Sequence, residues 1–424
     1  MGRVRRCVLS AVILALSLVA PARAAPERTV VVVLFDGFAP GELDATKATP
    51  NFDRLKREGE WSRHLVPAFP TISLINHTTF ETGCWPAHHG IVSNIFYDPA
   101  KGKFGNGHDE GDADWRTGCE SMWEAAERQG VKTATFNWIG RWSKARGGLS
   151  TYENPNVPWN RRESDDSILK KAIALLRDNG PAHPRLISLY FDIPDHVAHF
   201  DGAGGPKTQE AVRRCDAIAG RLMAAIAALP KGREGTLVIG TDHGMMDVGP
   251  LINIGRLMNL YDIKATQASD GATTFFYLDK GESIDRVEKA LSGYSYAFDV
   301  YRKGHYPAYA HLGDGPRAGD LMLVAKPPYW TVGPEEFPAW ADWLGVTRLW
   351  PVTFTPFAGG LKATHGYDPA IVQMHGIFYA WGAEVAKGKE IKRLDMIDIH
   401  PTVMSLLGLR PGRPLDGKAI ALSP

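Results

Sequence analysis

The sequence predicts an α/β fold: a mostly parallel central sheet covered by helices, with a small strand-rich subdomain inserted into it. Three observations lead there. The run Thr29 to Phe35 is β-branched and continuously apolar, the pattern of a strand buried on both faces, and it stops at Asp36-Gly37. The same layout returns in Val131 to Phe136, in Leu186 to Phe191 before Asp192-Ile193-Pro194-Asp195, and in Thr236 to Gly240 before Thr241-Asp242-His243. Helical segments alternate with these runs, as parallel crossovers require.

The chain opens with Arg3, Arg5 and Arg6 ahead of the apolar run Val8 to Ala20, followed by Ala22-Arg23-Ala24, a small-x-small cleavage pattern. Residues 1–24 therefore read as a secretory signal peptide. The run is shorter than the ~20 residues that a membrane anchor needs. Its removal takes away four arginines, so 48 basic residues become 44 against 47 acidic ones. No basic tract remains to hold a nucleic-acid polymer, and no second apolar run of membrane length follows. The mature chain, residues 25–424, is expected to be exported, periplasmic or secreted, with a small phosphorylated substrate.

Further along, Thr49-Pro50 opens a helix over Asn51 to Glu58, Cys119 to Arg128 reads as helix ending at Gly130, and Ser164 to Arg177 as helix ending at Gly180. A strand-rich region without clear crossover helices spans about 273–325. Pro327 to Pro356 reads as a long ordered loop leading to Thr364-His365-Gly366, and Asp398 to Leu407 as a closing helix. Cys84, Cys119 and Cys215 are too few for a disulfide scaffold; they leave room for one disulfide, whose pairing stays open.

In open sheets of this type ligands sit beyond the carboxyl ends of the strands, where Asp36, Asp195 and Asp242 collect. Together with His199, His243 and His365 these are the donor types that zinc prefers. Each alone reads equally as a turn, cap or core residue. The spacing adds weight: Asp195 and His199 are one helical turn apart, and Asp242 and His243 are adjacent at a strand end, followed by Gly244, which allows close backbone approach or a positive φ. Pro70-Thr71-Ile72-Ser73 turns into the helical stretch Leu74 to Glu81. This puts the Ser73 hydroxyl at a helix N-terminus, suited to a phosphate oxygen or an alkoxide, although Ser73 could equally be a simple cap.

Read in order, Leu34-Phe35-Asp36-Gly37, Thr49-Pro50-Asn51, Phe69-Pro70-Thr71-Ile72-Ser73, Asn76-His77, Thr82-Gly83, His89 to Asn94, Pro194-Asp195 through His199, Thr241-Asp242-His243-Gly244 and Thr364-His365-Gly366-Tyr367 form one pattern. It resembles the nucleotide pyrophosphatase/phosphodiesterase (type I phosphodiesterase) family of the alkaline phosphatase superfamily, over about residues 29 to 408. The resemblance implies an alkaline-phosphatase-like fold and two zinc ions. One is held by Asp36, Asp242 and His243 and touches the nucleophile Ser73, which stands where the family usually has Thr; the other is held by Asp195, His199 and His365. Asn94 is implied as a donor to a nonbridging phosphate oxygen. Leu74 stands where nucleotide-hydrolysing members carry a stacking aromatic, and Tyr190 matches the other aromatic wall while reading equally as core packing.

The expected activity is hydrolysis of phosphodiester or pyrophosphate bonds in small nucleotide-like substrates through a covalent Ser73 intermediate. Two alternatives stay open. Lys144 or Arg146, in one loop with Arg141, would favour monoesters if turned inward and make the enzyme a phosphatase. Choline or lipid-headgroup diesters would suit the Trp-rich surroundings and Leu74. Sulfatase chemistry is disfavoured because Cys84-Trp85-Pro86-Ala87-His88 lies outside the nucleophile slot. A non-catalytic phosphate- or zinc-binding protein would lack a nucleophile or ligand, and every position is filled.

Overall fold

The computed structural model describes residues 26–105, 115–139, 150–154, 161–333, 351–353 and 361–422. The proposed signal peptide and the loop bearing Arg141, Lys144 and Arg146 lie outside the described residues. Glu27–Asp36 runs near the middle of a nine-stranded sheet, between Leu186–Pro194 and Arg233–Thr241, parallel to both. Thr133–Phe136 and Tyr152–Glu153 extend it in parallel on one side. On the other side Gly376–Gly382 enters antiparallel between Arg233–Thr241 and Glu60–Val66.

Alternate residues of the first strand serve opposite faces. Val30, Val32 and Leu34 join one buried cluster with Ile75, Phe80 and Val403, whereas Val31, Val33 and Phe35 join another with Val212, Leu222 and Met223. Burial on both faces explains the uninterrupted apolar run, and each such side chain contributes about 1.5–3 kcal/mol over its exposed state. No helix among the described residues is long and apolar enough to cross a membrane.

Local chemistry moves several expected boundaries. The helix expected from Cys119 starts at Met122, because Ser121 and Glu124 form a reciprocal capping box. The helix Pro50–Glu58 begins as expected, yet the Thr49 side chain does not cap it. Asp216, from the long helix Pro206–Ala227, accepts the main-chain N–H groups of Asn51 and Phe52 at 2.9 and 2.8 Å.

The strand-rich region starts earlier than 273 and contains a helix. Ala265–Asp270, Thr273–Leu278, Leu321–Ala325 and Phe298–Arg302 form an antiparallel four-stranded sheet in that order, with Ile284–Leu291 helical between them. The stretch read as a loop from Pro327 includes the strand Trp330–Val332, paired with Leu251–Asn253. Cys84 and Cys119 form a disulfide, and Cys215 is buried as a thiol.

Candidate metal centre and nucleophile

Three parallel strands deliver the acids to one end of the sheet. The register between the first strand and Leu186–Pro194 shifts at Phe35/Asp36, an irregularity that re-aims the Asp36 carboxylate. Gly37 follows with φ 61°, and a Cβ there would lie 2.6 Å from both Cβ and Oδ1 of Asp195. Its N–H donates to Asp242 Oδ1 at 3.0 Å. One glycine thus brings the two acid-bearing turns together, which no larger residue permits. Gly244 serves close approach and not a positive φ, since a Cβ there would meet the Gln373 carbonyl at 1.9 Å.

Two triads form. Asp36, Asp242 and His243 are buried together, and Asp195, His199 and His365 gather beside them; within each, the candidate ligand atoms lie within 4.8 Å of one another. Asp195 and His199 share the first turn of the helix Asp195–Asp201, with Nε2 3.3 Å from Oδ2. His365 arrives on the strand Ala363–Thr364, which pairs with Met246–Asp247 just after His243.

The three histidines share one orientation. Nδ1–H donates to a main-chain carbonyl in each case: His199 to Ala363 at 2.9 Å, His243 to Gly244 at 2.8 Å and His365 to Thr71 at 3.0 Å. Every Nε2 is thereby turned toward the site, the arrangement in which a second partner fixes a metal-binding imidazole. The Oδ1 atom of Asp195 is buried without a hydrogen-bond partner. Burial, then the charges of Asp242 and Asp195, pushes the Asp36 carboxyl up to about 6. Burial opposes protonation of His243, but Asp242, Asp36 and Asp195 hold its pKa up at about 10. An orphaned carboxylate oxygen, aligned imidazoles and crowded negative charge together fit bound cations.

Ser73 is the first residue of the helix Ser73–Thr82, and Ile72 holds the cap position. The simple-cap reading of Ser73 therefore does not apply. Its hydroxyl lies 3.1 Å from His243 Nε2 and 3.4 Å from Asp36 Oδ1, and the residue is partly open to solvent. Asn94 Oδ1 accepts the Leu74 N–H at 2.8 Å, so the amide NH2 is the end left to donate. Leu74 itself is buried in the core.

Tyr190 is also buried, its hydroxyl donating to Asp36 Oδ2, its ring edge-on to His77 and facing the Arg162 guanidinium. His77, quoted in the motif but given no role from sequence, lies one turn below Ser73. Its Nε2 is 3.1 Å from Asp242 Oδ2. The i, i+4 spacing from Ser73 was the available signal.

A hydroxyl at a helix start beside two carboxylate–imidazole triads is the layout of a metal-dependent hydrolase of phosphate esters. The comparisons agree and narrow it. Residues 30–368 match the family described as Type I phosphodiesterase / nucleotide pyrophosphatase, and the chain belongs to that family.

Among its relatives, human ectonucleotide pyrophosphatase/phosphodiesterase family member 7 is 27% identical over 429 residues, covering 96% of this chain and 87% of that protein. Venom phosphodiesterase 2 of Crotalus adamanteus is 26% identical, covering 90% of this chain and 45% of that protein. The solved structure of murine ectonucleotide pyrophosphatase/phosphodiesterase 5 superposes with a TM-score of 0.79 at 24% identity, covering 92% of this chain and 98% of that one, and thus shares the fold. An inactive form of that murine protein has been solved in complex with AMP, with the same TM-score.

Proposed function

We propose that the protein is an exported two-zinc phosphodiesterase that cleaves phosphodiester or pyrophosphate bonds in small nucleotide-like substrates through a phosphoserine at Ser73. The observation that carries this reading is the Ser73 hydroxyl, 3.1 Å from His243 Nε2 at the edge of a carboxylate–imidazole triad. Asp36, Asp242 and His243 would hold one ion, and Asp195, His199 and His365 the other; these are oxygen and nitrogen donors in sets of three, the number zinc takes when a position stays open for chemistry. Bound there, such ions stabilise charge on a phosphoryl group and acidify a hydroxyl.

The chain's own groups do the rest. Ser73 Oγ loses its proton to solvent and attacks phosphorus, forming the Oγ–P bond as the P–O bond to the leaving group breaks and the leaving oxygen departs with that electron pair. Water then attacks phosphorus and loses a proton to solvent, the Oγ–P bond breaks, and Ser73 Oγ takes up a proton. The Asn94 NH2 donates to a nonbridging oxygen, and Tyr190 and His77 hold Asp36 and Asp242 in place through their own hydrogen bonds. The nucleotide preference draws on AMP in the structural neighbour, and the export reading draws on the composition of residues 1–24.

The test compares kcat/KM of the zinc-loaded mature protein on thymidine 5′-monophosphate p-nitrophenyl ester, p-nitrophenyl phosphorylcholine and p-nitrophenyl phosphate. Preference for the thymidine diester is expected, and preference for the monoester overturns the reading. Ser73→Ala is expected to lose roughly a thousandfold or more in kcat while keeping its metal. Retained steady-state turnover in that variant would rule out the covalent route.

A further inference from the structure

The inserted antiparallel sheet sends one hairpin turn into the site. Asp270 ends one strand, Thr273 starts the next, and Gly271-Ala272 between them pack on His365-Gly366: the Ala272 N–H donates to the His365 carbonyl at 3.1 Å, and Thr273 Oγ1 donates to the Gly366 carbonyl at 3.0 Å. A Cβ on Gly271 would lie 2.4 Å from the His365 carbonyl, so the turn is seated as closely as backbone allows.

That seating carries the Asp270 side chain to the loop bearing Asn94. Ser93 Oγ donates to Asp270 Oδ2 at 3.4 Å. Asn94 is in turn locked to Leu74, next to the nucleophile. Asp270 is part-buried, and burial pushes its carboxyl up to about 6, so it carries its charge above neutral pH. It is not itself one of the triad ligands.

We propose that Asp270 is a specificity-determining residue: it braces the Ser93–Asn94 phosphate-binding loop, and as a fixed negative charge beside that loop it selects phosphodiester monoanions over phosphomonoester dianions. The inference rests on the phosphodiesterase reading above and names the device that keeps monoesters out. A diester presents one charge to the carboxylate and a monoester two. In a part-buried site the extra repulsion falls mainly on the monoester. The bracing role falls on both substrates alike, because both place a nonbridging oxygen at Asn94.

Two variants separate the roles. Asp270→Asn keeps one acceptor oxygen for the Ser93 hydroxyl while removing the charge, and Asp270→Ala removes both. For Asp270→Asn, the ratio of kcat/KM on p-nitrophenyl phosphate to that on the thymidine diester is expected to rise about tenfold. The rise is expected to come from the monoester value, with the diester value falling less than it does in Asp270→Ala. An unchanged ratio overturns the charge role.

Asp270→Ala is expected to slow both substrates and to add little in an Asn94→Ala background, since it acts through Asn94. Full additivity overturns the bracing role. Should Asp270→Ala fold poorly, Ser93→Ala in the same cycle breaks the contact from the other side. The parent protein's own substrate ratio tests the phosphodiesterase reading, and the change on substitution tests Asp270, so the two can fail separately.

Discussion

The rings of His243 and His365 stack with centroids 3.7 Å apart and planes inclined by 22°, although the two residues belong to different triads. The centres therefore share a wall of two imidazoles, each held from behind by a main-chain carbonyl. Removing one ring opens space beside the other. His365→Ala is expected to lose the ion of its own triad and to weaken retention at the neighbouring one. Metal analysis after dialysis should find about one zinc per chain, released by chelator faster than from the parent protein. Two tightly held ions in this variant would show that His365 is not a ligand.

Tyr190 acts through Asp36. The hydroxyl donates to the carboxylate, while the ring packs against His77. Tyr190→Phe keeps the ring and removes the donor, and zinc affinity at that centre is expected to fall roughly 10–100-fold. Competitive titration with a chromophoric chelator reads this directly. If the ring were chiefly a wall for substrate, the phenylalanine variant would bind metal normally.

Gly37 combines a φ of 61° with contact against Asp195. Gly37→Ala places a methyl in that contact and strains the backbone as well. A loss of more than about 1–2 kcal/mol in stability is expected, together with reduced metal content. Urea unfolding of the metal-free protein isolates the first effect, and a midpoint equal to the parent's would contradict the close packing of the two turns.

His400 supplies a pH dependence away from the site. It is buried, Nδ1–H donates to the Glu81 carbonyl at 2.6 Å, and Nε2 accepts the Gly412 N–H at 2.8 Å, so the neutral ring is fully satisfied. Burial pushes its pKa down from 6.5 to about 4. Between those values the unfolded chain binds the proton and the folded one does not. The contribution is therefore intact above pH 6.5 and is lost as pH falls toward 4, by about 3 kcal/mol in all. Unfolding free energies of the parent and His400→Gln, measured from pH 7 to 4, should show a shallower decline in the variant. Parallel curves would contradict this.

Much of the fold was legible because its signals are local. The first strand announced itself through a continuous apolar run whose alternate residues fill two different cores, and Asp195 with His199 through one helical turn. The helix Met122–Arg128 was misplaced at its start because a capping box outweighed the apolar pattern. The cap of Pro50–Glu58 was invisible because its acceptor, Asp216, is distant in sequence. Within the site, the acids, histidines and hydroxyl that gather at one end of the sheet could be read from motifs. The partners behind them could not: Tyr190 on Asp36, His77 on Asp242, the carbonyls behind each imidazole, and Asp270 beside Asn94.

The sequence by itself determined which strands are buried on both faces, which acids stand at their carboxyl ends, and which hydroxyl begins a helix. Those features depend on side-chain period and nearest neighbours along the chain. Only the tertiary structure decided that Gly37 brings the two triads into contact, that all three imidazoles point Nε2 inward, and that a hairpin of the inserted sheet reaches the Ser93–Asn94 loop. Each of these depends on backbone segments far apart in sequence approaching to hydrogen-bond distance, and sequence spacing does not encode that distance.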